Sequence, residues 1–298
     1  MIIGLVLAVV LVVGVLIGAR IVSDRAGNVP VAMTPLPAPE ADSPECSQLI
    51  ESLPDELVGH DRADITEPVP AGTAAWASNS LERVTLRCGV ELPLQYTDYS
   101  EPVEIDGTEW LIVEDATPGS TMATWYSVNR EQVVAVTADE PTLGRADNPV
   151  EDLSEDIAQL PEYDHEPRPA PLSELEAAGG DAAEICEPLL EEVPEILATD
   201  WTLQSVEADT ALWTNPGQEP VVLRCGVVPP AGYAAGERLT QINEIPWFED
   251  TELVSGSTAS VWYALGRATD VAVSTPQAAA QEALVQLSDL IAEETPEQ

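Results

Sequence analysis

The stretch Leu86-Arg87-Cys88-Gly89-Val90 occurs twice in this chain, since Leu223-Arg224-Cys225-Gly226-Val227 repeats it without a change. Around each copy the same landmarks follow in one order: an upstream cysteine, two tryptophans, and then Trp-Tyr-x-x-x-Arg. The length of 298 residues also fits about two domains on the usual relation of length to domain number. The sequence therefore predicts two tandem copies of one domain.

The charge of the chain excludes some classes of partner. A net charge of −42 arises from 53 acidic residues against 11 basic ones, and every basic residue is arginine. Such a surface repels nucleic acid and anionic lipid headgroups, so we expect no nucleic-acid partner. An acidic, Ala-rich proteome explains the charge without a special partner, and this explanation is favoured.

The first residues are almost continuously apolar, and we expect residues 1–22 to form a transmembrane anchor. Residues 1–19 would span roughly 28 Å as a helix at about 1.5 Å per residue, which is enough to cross the bilayer core. The apolar region of a cleaved signal peptide is shorter, at about 7 to 15 residues. An uncleaved anchor is therefore favoured over cleavage after Ala19.

The charges and the cysteines disagree about the orientation of this anchor. Arg20 and Arg25 follow the apolar run, and the positive-inside rule would place them in the cytoplasm. Paired cysteines require an oxidising compartment, and they outweigh a bias of two arginines. We therefore expect a single-pass protein of the cell membrane whose folded part is extracytoplasmic.

Composition sets the remaining boundaries. Residues 23–42 are rich in Pro and Ala and predict an extended stalk, whereas residues 161–180 contain Pro, Glu, Ala and Gly and predict a linker. The first repeat then covers residues 43–160. The second covers residues 181–293 and is followed by a tail at 294–298.

Each repeat is predicted to begin with a helix. Ser43 is a good N-cap, Pro44 fits the first helical position, and spacings of three and four define an apolar face. That face consists of Cys46, Leu49, Ile50, Leu53 and Leu57, and its copy of Cys186, Leu189, Leu190, Val193 and Leu197. Because proline disfavours a helix interior, Pro188 predicts a late start near Glu187 for the second helix.

Strands and a closing helix complete each repeat. Residues 83–88 alternate between polar and apolar side chains, and Asp106-Gly107 predicts a hairpin turn within residues 103–113. Further strands are expected at 74–77, 121–128 and 132–137, with copies at 258–265 and 270–274. Asn148-Pro149 and Thr275-Pro276 begin the closing helices, whose apolar stripes are Val150, Leu153, Ile157 and Leu160, and Leu284, Leu287 and Ile291. We predict an α+β fold in which each repeat has an antiparallel sheet of about five strands, with its N-terminal and C-terminal helices on one face.

Four cysteines fall two per repeat at equivalent positions. They allow three pairings, and duplication favours Cys46–Cys88 with Cys186–Cys225, since each repeat must once have folded with its own pair. A loop of about 40 residues makes each such bond worth about 4 kcal/mol. Zinc is the alternative, but two distant pairs without CxxC spacing are a poor ligand set.

The landmarks of both repeats resemble a known family. In the first copy they are Cys46, Leu53, Pro54, Trp76, Val84, Leu86, Arg87, Cys88, Gly89, Val90, Pro93, Trp110, Trp125, Tyr126 and Arg130. In the second they are Cys186, Val193, Pro194, Trp213, Val221, Leu223, Arg224, Cys225, Gly226, Val227, Pro230, Trp247, Trp262, Tyr263 and Arg267. This order resembles the actinobacterial envelope proteins called domain of unknown function 3515, whose members have one copy behind one N-terminal helix. The resemblance implies location and lineage, and it implies no activity.

Four matched arginines are the candidate functional residues. Arg87, Arg130, Arg224 and Arg267 occupy equivalent positions in a very acidic chain, and the functional hypothesis is an anion-binding pocket beside Trp125 and Trp262. The alternative is a structural role, as ion pairs or as guanidinium groups stacked on tryptophan. The structural role is favoured, and the tryptophans themselves are expected in the core.

Three classes of function remain. The favoured one is a non-catalytic envelope module that binds an envelope protein or a cell-wall ligand. The second is a hydrolase with paired carboxylates, although Glu104 and Glu109 match Gln241 and Pro246 in the second copy. The third is weak, diffuse binding of divalent cations by the acidic surface. The sequence predicts no catalytic residues, no cofactor and no metal site, because His60 and His165 occupy no matched positions.

Overall fold

The computed structural model describes residues 12–15, 18, 30–117, 119–234, 236–250 and 258–298. The predicted anchor at 1–22 lies outside these ranges except for residues 12–15 and 18, which are helical. Within the described ranges, no helix is long and apolar enough to cross a membrane.

The chain forms two compact units. The first comprises Met1–Leu92, Pro102–Ile112 and Thr121–His165, and the second comprises Pro93–Glu101, Val113–Ser120 and Glu166–Gln298. Each unit contains one large sheet with a few helices, so the prediction of two tandem domains is confirmed. The sheets are larger, and the helices differ more between the repeats, than the sequence indicated.

The first repeat contains a small hairpin and a six-stranded sheet. The hairpin joins β1 (Glu56–Leu57) to β2 (His60–Asp61). The strands of the sheet are β3 (Thr73–Ala77), β4 (Arg83–Cys88), β5 (Val103–Ile105), β6 (Thr108–Glu114), β7 (Met122–Ser127) and β8 (Val134–Asp139). Their order across the sheet is β3-β4-β8-β7-β6-β5. The predicted turn at Asp106-Gly107 joins β5 to β6, and both residues have positive φ.

The second repeat contains an eight-stranded sheet. Its strands are β9 (Ile196–Leu197), β10 (Trp201–Glu207), β11 (Thr210–Thr214), β12 (Val221–Val227), β13 (Thr240–Ile242), β14 (Ile245–Asp250), β15 (Ala259–Ala264) and β16 (Asp270–Pro276). Their order is β13-β14-β15-β16-β12-β11-β10-β9. The register repeats that of the first sheet, since Leu86 lies opposite Val136 as Leu223 lies opposite Val273. The second sheet therefore adds β9 and β10 beyond β11, at the edge where the first sheet ends.

The helices depart from the prediction in the start of one opening helix and in one additional short helix. The opening helices are α1 (Pro44–Ser52) and α4 (Ala182–Glu191), so the expected late start near Glu187 is wrong. Pro188 is exposed inside α4, whose buried face holds Cys186, Leu189 and Leu190. A short helix that was not predicted, α2 (Glu140–Leu143), follows β8.

The closing helices differ between the repeats. In the first repeat the predicted helix is a 3-10 turn at Glu151–Leu153 followed by the four-residue α3 (Ser154–Ile157). In the second repeat it is α5 (Gln277–Glu294), with 18 residues. The predicted stripes are nevertheless buried in both.

Both faces of each sheet are covered. Helical residues and the tryptophans share the main core cluster of each repeat. On the other face lies the segment that precedes each repeat, which we call the leading segment: residues 30–42 for the first repeat and 166–180 for the second. Val31 and Met33 pack on Ala75 and Ala77 in the first repeat, and Leu172 packs in the second. The expectation of a free stalk therefore does not hold for residues 30–42, because their apolar side chains are buried on the sheet.

Candidate functional site

The repeated Leu-Arg-Cys-Gly-Val stretch joins three parts of each repeat. Its leucine is fully buried in the core in both copies. Its cysteine is bonded to the opening helix, as Cys46–Cys88 between α1 and β4 and as Cys186–Cys225 between α4 and β12. The Cα–Cα distances of 5.5 and 5.8 Å are ordinary for disulfides. The stretch thus fixes the opening helix to the middle of the sheet.

The arginine of the stretch holds the leading segment. Arg87 donates from Nη2 to the carbonyl oxygen of Thr34 at 2.7 Å. Arg224 donates from Nη1 to the carbonyl oxygens of Leu172 and Leu175, each at 2.8 Å, and from Nε to Asp209 at 2.9 Å. Carbonyl oxygens of the leading segment therefore accept from Nη2 of Arg87 and from Nη1 of Arg224, and the Asp209 carboxylate accepts from Nε of Arg224.

Burial of the Arg87 guanidinium affects its titration. Desolvation lowers the pKa of Arg87 from its ordinary value, and the nearby Tyr126 hydroxyl opposes this shift. Desolvation by burial likewise raises the pKa of Tyr126, and Arg87 opposes it. Arg87 thus lies in a partly dehydrated contact between the leading segment and the outer face of the sheet.

The glycine of the stretch also binds the leading segment, through its carbonyl oxygen. Gly89 and Gly226 have φ of 77° and 75°, a region that other residues rarely adopt. The carbonyl oxygen of Gly89 accepts from Glu40 N at 3.2 Å, and that of Gly226 accepts from Ala178 N at 2.7 Å. The glycines turn the strand end toward the leading segment in both repeats.

The second pair of arginines is buried in the connection between β7 and β8 and in the matching connection between β15 and β16. Arg130, 2% exposed, donates from Nη2 to Gly107 O at 2.8 Å and to Thr108 Oγ1 at 3.1 Å. Arg267, 7% exposed, donates from Nε to Thr295 Oγ1 at 2.9 Å and from Nη2 to Ala292 O at 3.0 Å. Arg130 therefore binds oxygens of the β5–β6 hairpin, whereas Arg267 binds oxygens at the end of α5.

Two long ion pairs accompany these buried arginines. Arg130 lies 3.8 Å from Glu162, and Arg267 lies 3.9 Å from Glu297. Both glutamates are more than four-fifths exposed, so the pairs contribute little to stability. Within the described contacts, the guanidinium that lies over a tryptophan ring is Arg62 over Trp76, at 4.9 Å, rather than any of the four candidates.

The tryptophans belong to the core, as the sequence predicts. Trp76 donates from Nε1 to Pro54 O at 2.9 Å, and Trp213 donates to Pro194 O at 2.8 Å. These matched bonds fix the indole of each tryptophan to the same backbone position after the opening helix. In the second repeat Trp247 also donates, to Ser288 Oγ at 2.9 Å.

The acidic and histidine candidates are not assembled into a site. Glu104 and Glu109 lie opposite each other on β5 and β6, and both are exposed. In the described ranges, no group of three or more His, Cys, Asp or Glu side chains could hold a metal ion. His60 is buried, with ring nitrogens 2.6 Å from Ser78 Oγ and 2.8 Å from Thr142 O, and it holds α2 to the β1–β2 hairpin.

An open groove of about 650 Å³ lies beside the disulfide of the second repeat. Small and apolar side chains dominate its walls, with four carboxylates among them. The lining residues are Ala177, Ala178, Ala182, Ala183, Glu184, Cys186, Glu187, Leu190, Glu191, Val206, Ala208, Asp209, Cys225 and Gly226. Sequence patterns did not predict this groove, although the run of small residues before and within α4 was a signal for it.

A family model matches this chain twice. It is described as protein of unknown function (DUF3515), and it matches residues 5–164 and again residues 158–298. No curated protein and no solved structure matches the chain. The two matches correspond to the two repeats. The chain therefore belongs to the DUF3515 family, and it contains two tandem copies of the family's domain.

Proposed function

We propose that this protein is a membrane-anchored, extracytoplasmic binding module without catalytic activity, and that its second repeat presents the ligand-binding surface. The observation that carries the proposal is the groove beside Cys186–Cys225. A concave, largely apolar site with a few polar groups is the usual form of a binding site. The proposed location rests on the disulfides and on the apolar run at the start of the chain.

The disulfides support the extracytoplasmic location. Each closes a loop of 42 or 39 residues and contributes about 4 kcal/mol by loop-closure entropy. Such bonds persist in oxidising compartments and are rare in the cytosol. The apolar run at residues 1–19 supports attachment to the membrane.

The matched arginines have structural roles, and we therefore place the binding function among residues that the two repeats do not share. Arg87, Arg130, Arg224 and Arg267 direct their donors at carbonyl and hydroxyl oxygens of the scaffold. These residues, which the two repeats share, therefore maintain the fold. A function that resides in one repeat has to use features that the other repeat lacks, and the groove is such a feature.

The location is tested by labelling intact cells. Leu81 is 82% exposed, so a cysteine placed there is accessible to reagents. We expect a membrane-impermeant maleimide to label the Leu81→Cys protein in intact cells. Labelling that requires permeabilised cells would place the repeats in the cytoplasm.

The binding surface is tested by site-specific crosslinking in cells. A photoreactive phenylalanine at Ala183, inside the groove, is compared with the same residue at Ser47 on α1 of the first repeat. Both positions are exposed on the opening helix of their repeat. We expect a discrete envelope product from Ala183 that is absent from Ser47. The same product from both positions, or none from Ala183, would contradict the proposal.

A further inference from the structure

The groove has two walls and a floor made by different elements. One wall is α4, which presents Ala183, Glu187 and Leu190 to the groove, and the other is the end of the β10–β11 hairpin, with Val206 and Ala208. The disulfide and the glycine that follows Cys225 form the floor. An apolar side chain placed between the walls would therefore contact the disulfide.

In the first repeat, the leading segment occupies the space that corresponds to the groove. A Cβ atom on Gly89 would lie 2.3 Å from the carbonyl carbon of Glu40, and Ala41 is buried. A Cβ atom on Gly226 would meet Ala182 Cβ at 3.4 Å and the sulfur of Cys186 at 3.5 Å. The leading segment thus fills the space beside Gly89, whereas a Cβ atom on Gly226 would make only ordinary van der Waals contacts, and Gly226 lines the groove.

Three carboxylates line one side of the groove. Glu184, Glu187 and Glu191 are exposed on one face of α4, and at about 1.5 Å per residue they span about 10 Å. No hydrogen bond or ion pair in the described part of the chain engages them. The chain has no lysine and 11 arginines against 53 acidic residues, so the charge of the groove would favour a basic partner.

A sheet edge runs beside the groove. The strand β10 pairs with β11 along one side, whereas β9 pairs with it only at Trp201 and Thr202. Leu203 N donates to Glu195 O, and beyond it residues 204–207 have no backbone partner on the outer side in the described structure. Val206, which lines the groove, is on this edge and is 42% exposed.

The first repeat protects the edge on the same side of its sheet. There Ala63 N donates to Ala75 O at 2.9 Å, and the backbones of Arg62 and Trp76 form an isolated antiparallel β-bridge. An unprotected edge strand is a template for another strand, and extended peptides use such edges in many complexes. The open edge and the open groove therefore occur in the same repeat, with Val206 belonging to both.

We propose that the second repeat binds an extended, basic segment of a partner protein, which adds as a strand to the outer edge of β10. One apolar side chain of the segment packs against Val206 at the open side of the groove. Cationic side chains on the segment face Glu184, Glu187 and Glu191. This mode of binding rests on the proposed function and adds the chemistry of the partner.

The test uses the full-length protein in a nonionic detergent and a capped peptide of alternating lysine and valine, titrated at low salt. Three variants separate the contributions. Glu184→Gln/Glu187→Gln/Glu191→Gln removes the carboxylates, Asp42→Asn/Glu51→Gln/Glu56→Gln makes the same charge change at exposed positions of the first repeat, and Ala183→Trp fills the groove. A peptide N-methylated at alternate residues keeps the charges and removes backbone donors.

The proposal predicts distinct results for each arm. The groove triple variant weakens binding about tenfold, as expected for three exposed ion pairs, and the first-repeat triple variant changes it less than about twofold. Ala183→Trp and the N-methylated peptide each weaken binding by more than about tenfold, since strand addition depends on the main-chain hydrogen bonds and on the pocket for a side chain.

Other results would overturn the proposal. Equal binding by the N-methylated peptide excludes strand addition, and equal loss in the two triple variants excludes the groove. Binding of spermine with the same sensitivity to the groove variants identifies a small cation as the ligand instead. If no basic peptide binds at millimolar concentration but crosslinking at Ala183 still gives a discrete product, the partner chemistry is wrong and the proposed function stands.

Discussion

Beside the disulfide of the first repeat, Glu40 and Ala41 fill the space over Gly89, whereas the same place in the second repeat is an open groove of about 650 Å³. The disulfide, the clamping arginine and the glycine are the same in both. The difference shows that the shared stretch specifies the scaffold and leaves the surface beside it free to diverge. Function is therefore best sought where the copies differ.

The closing helices form a second contrast. In the second repeat, α5 supplies Ser288 to Trp247 and Thr295 to Arg267. In the first repeat, Trp110 Nε1 and Arg130 Nε are buried without a partner among the described residues. Since an unsatisfied buried donor costs about 1 to 3 kcal/mol, we expect the second repeat to be the more stable.

The largest difference is expected from Gly89→Ala against Gly226→Ala. Both place a side chain at positive φ, which costs about 1 to 2 kcal/mol. At Gly89 the added Cβ also meets the Glu40 backbone at 2.3 Å, so the total loss should reach about 4 kcal/mol. Urea unfolding followed by hydrogen exchange and mass spectrometry reports each repeat separately. Equal losses in the two repeats would show that the space beside Gly89 is not filled.

The second-largest loss of stability is expected from substitutions of the buried arginines. Arg130→Gln and Arg267→Gln each remove donors from buried oxygens and should destabilise their own repeat by about 3 kcal/mol in the same unfolding experiment. The matched controls are Glu162→Gln and Glu297→Gln, which should change the free energy of unfolding by less than about 1 kcal/mol. Retained stability together with lost binding of a small anion would restore the pocket hypothesis.

A smaller loss of stability is expected from a substitution that gives the second repeat an unpaired tryptophan, as in the first repeat. Ser288→Ala leaves Trp247 Nε1 without its hydrogen-bond partner, the condition already found at Trp110. The free energy of unfolding of the second repeat, measured in urea, should fall by about 1 kcal/mol. The control is Gln281→Ala at an exposed position of α5, which should change it by less than about 0.5 kcal/mol. Indistinguishable values for the two variants would mean that the Ser288 hydroxyl contributes nothing to the fold.

The smallest effect depends on pH. Desolvation by burial raises the pKa of Asp270, whose place in the first repeat is taken by Val133. A carboxyl group with a raised folded pKa destabilises the fold when ionised, and stability returns as pH falls through that pKa. Asp270→Asn should therefore stabilise the second repeat at about pH 7, and the gain should disappear below the ordinary carboxyl value of 3.8. The exposed Asp200→Asn should give no comparable gain in urea unfolding at either pH, and a gain from Asp270→Asn that is the same at both would contradict this explanation.

Local patterns predicted much of the fold. Alternation in residues 83–88, the Asp106-Gly107 turn and the duplicated cysteines depend on nearby residues or on the repeat itself, and the structure has all three elements. The closing helix of the first repeat is shorter than the sequence pattern predicts. Its apolar stripe is buried by a 3-10 turn and one helical turn, so spacing alone did not fix its type.

The sequence patterns did not predict the long-range packing. Val31 and Met33 are isolated apolar residues among prolines, and they are buried only because the outer face of the sheet lies beside them. The strand β10 pairs with β11 through a bulge between Leu203 and Ser205, which interrupts its alternation. The groove requires β10, α4 and the leading segment together, and none of their separate patterns indicates it.

The arginine of the repeated stretch clamps the leading segment onto the sheet, and hydrogen exchange of Arg87→Gln and Arg224→Gln tests this role directly. The amides of Glu40 and Ala178, which bond to the two glycines, should lose protection in their own repeat, while β4 and β12 keep theirs. Unchanged protection of both amides would contradict the account and make these arginines candidates for ligand binding again.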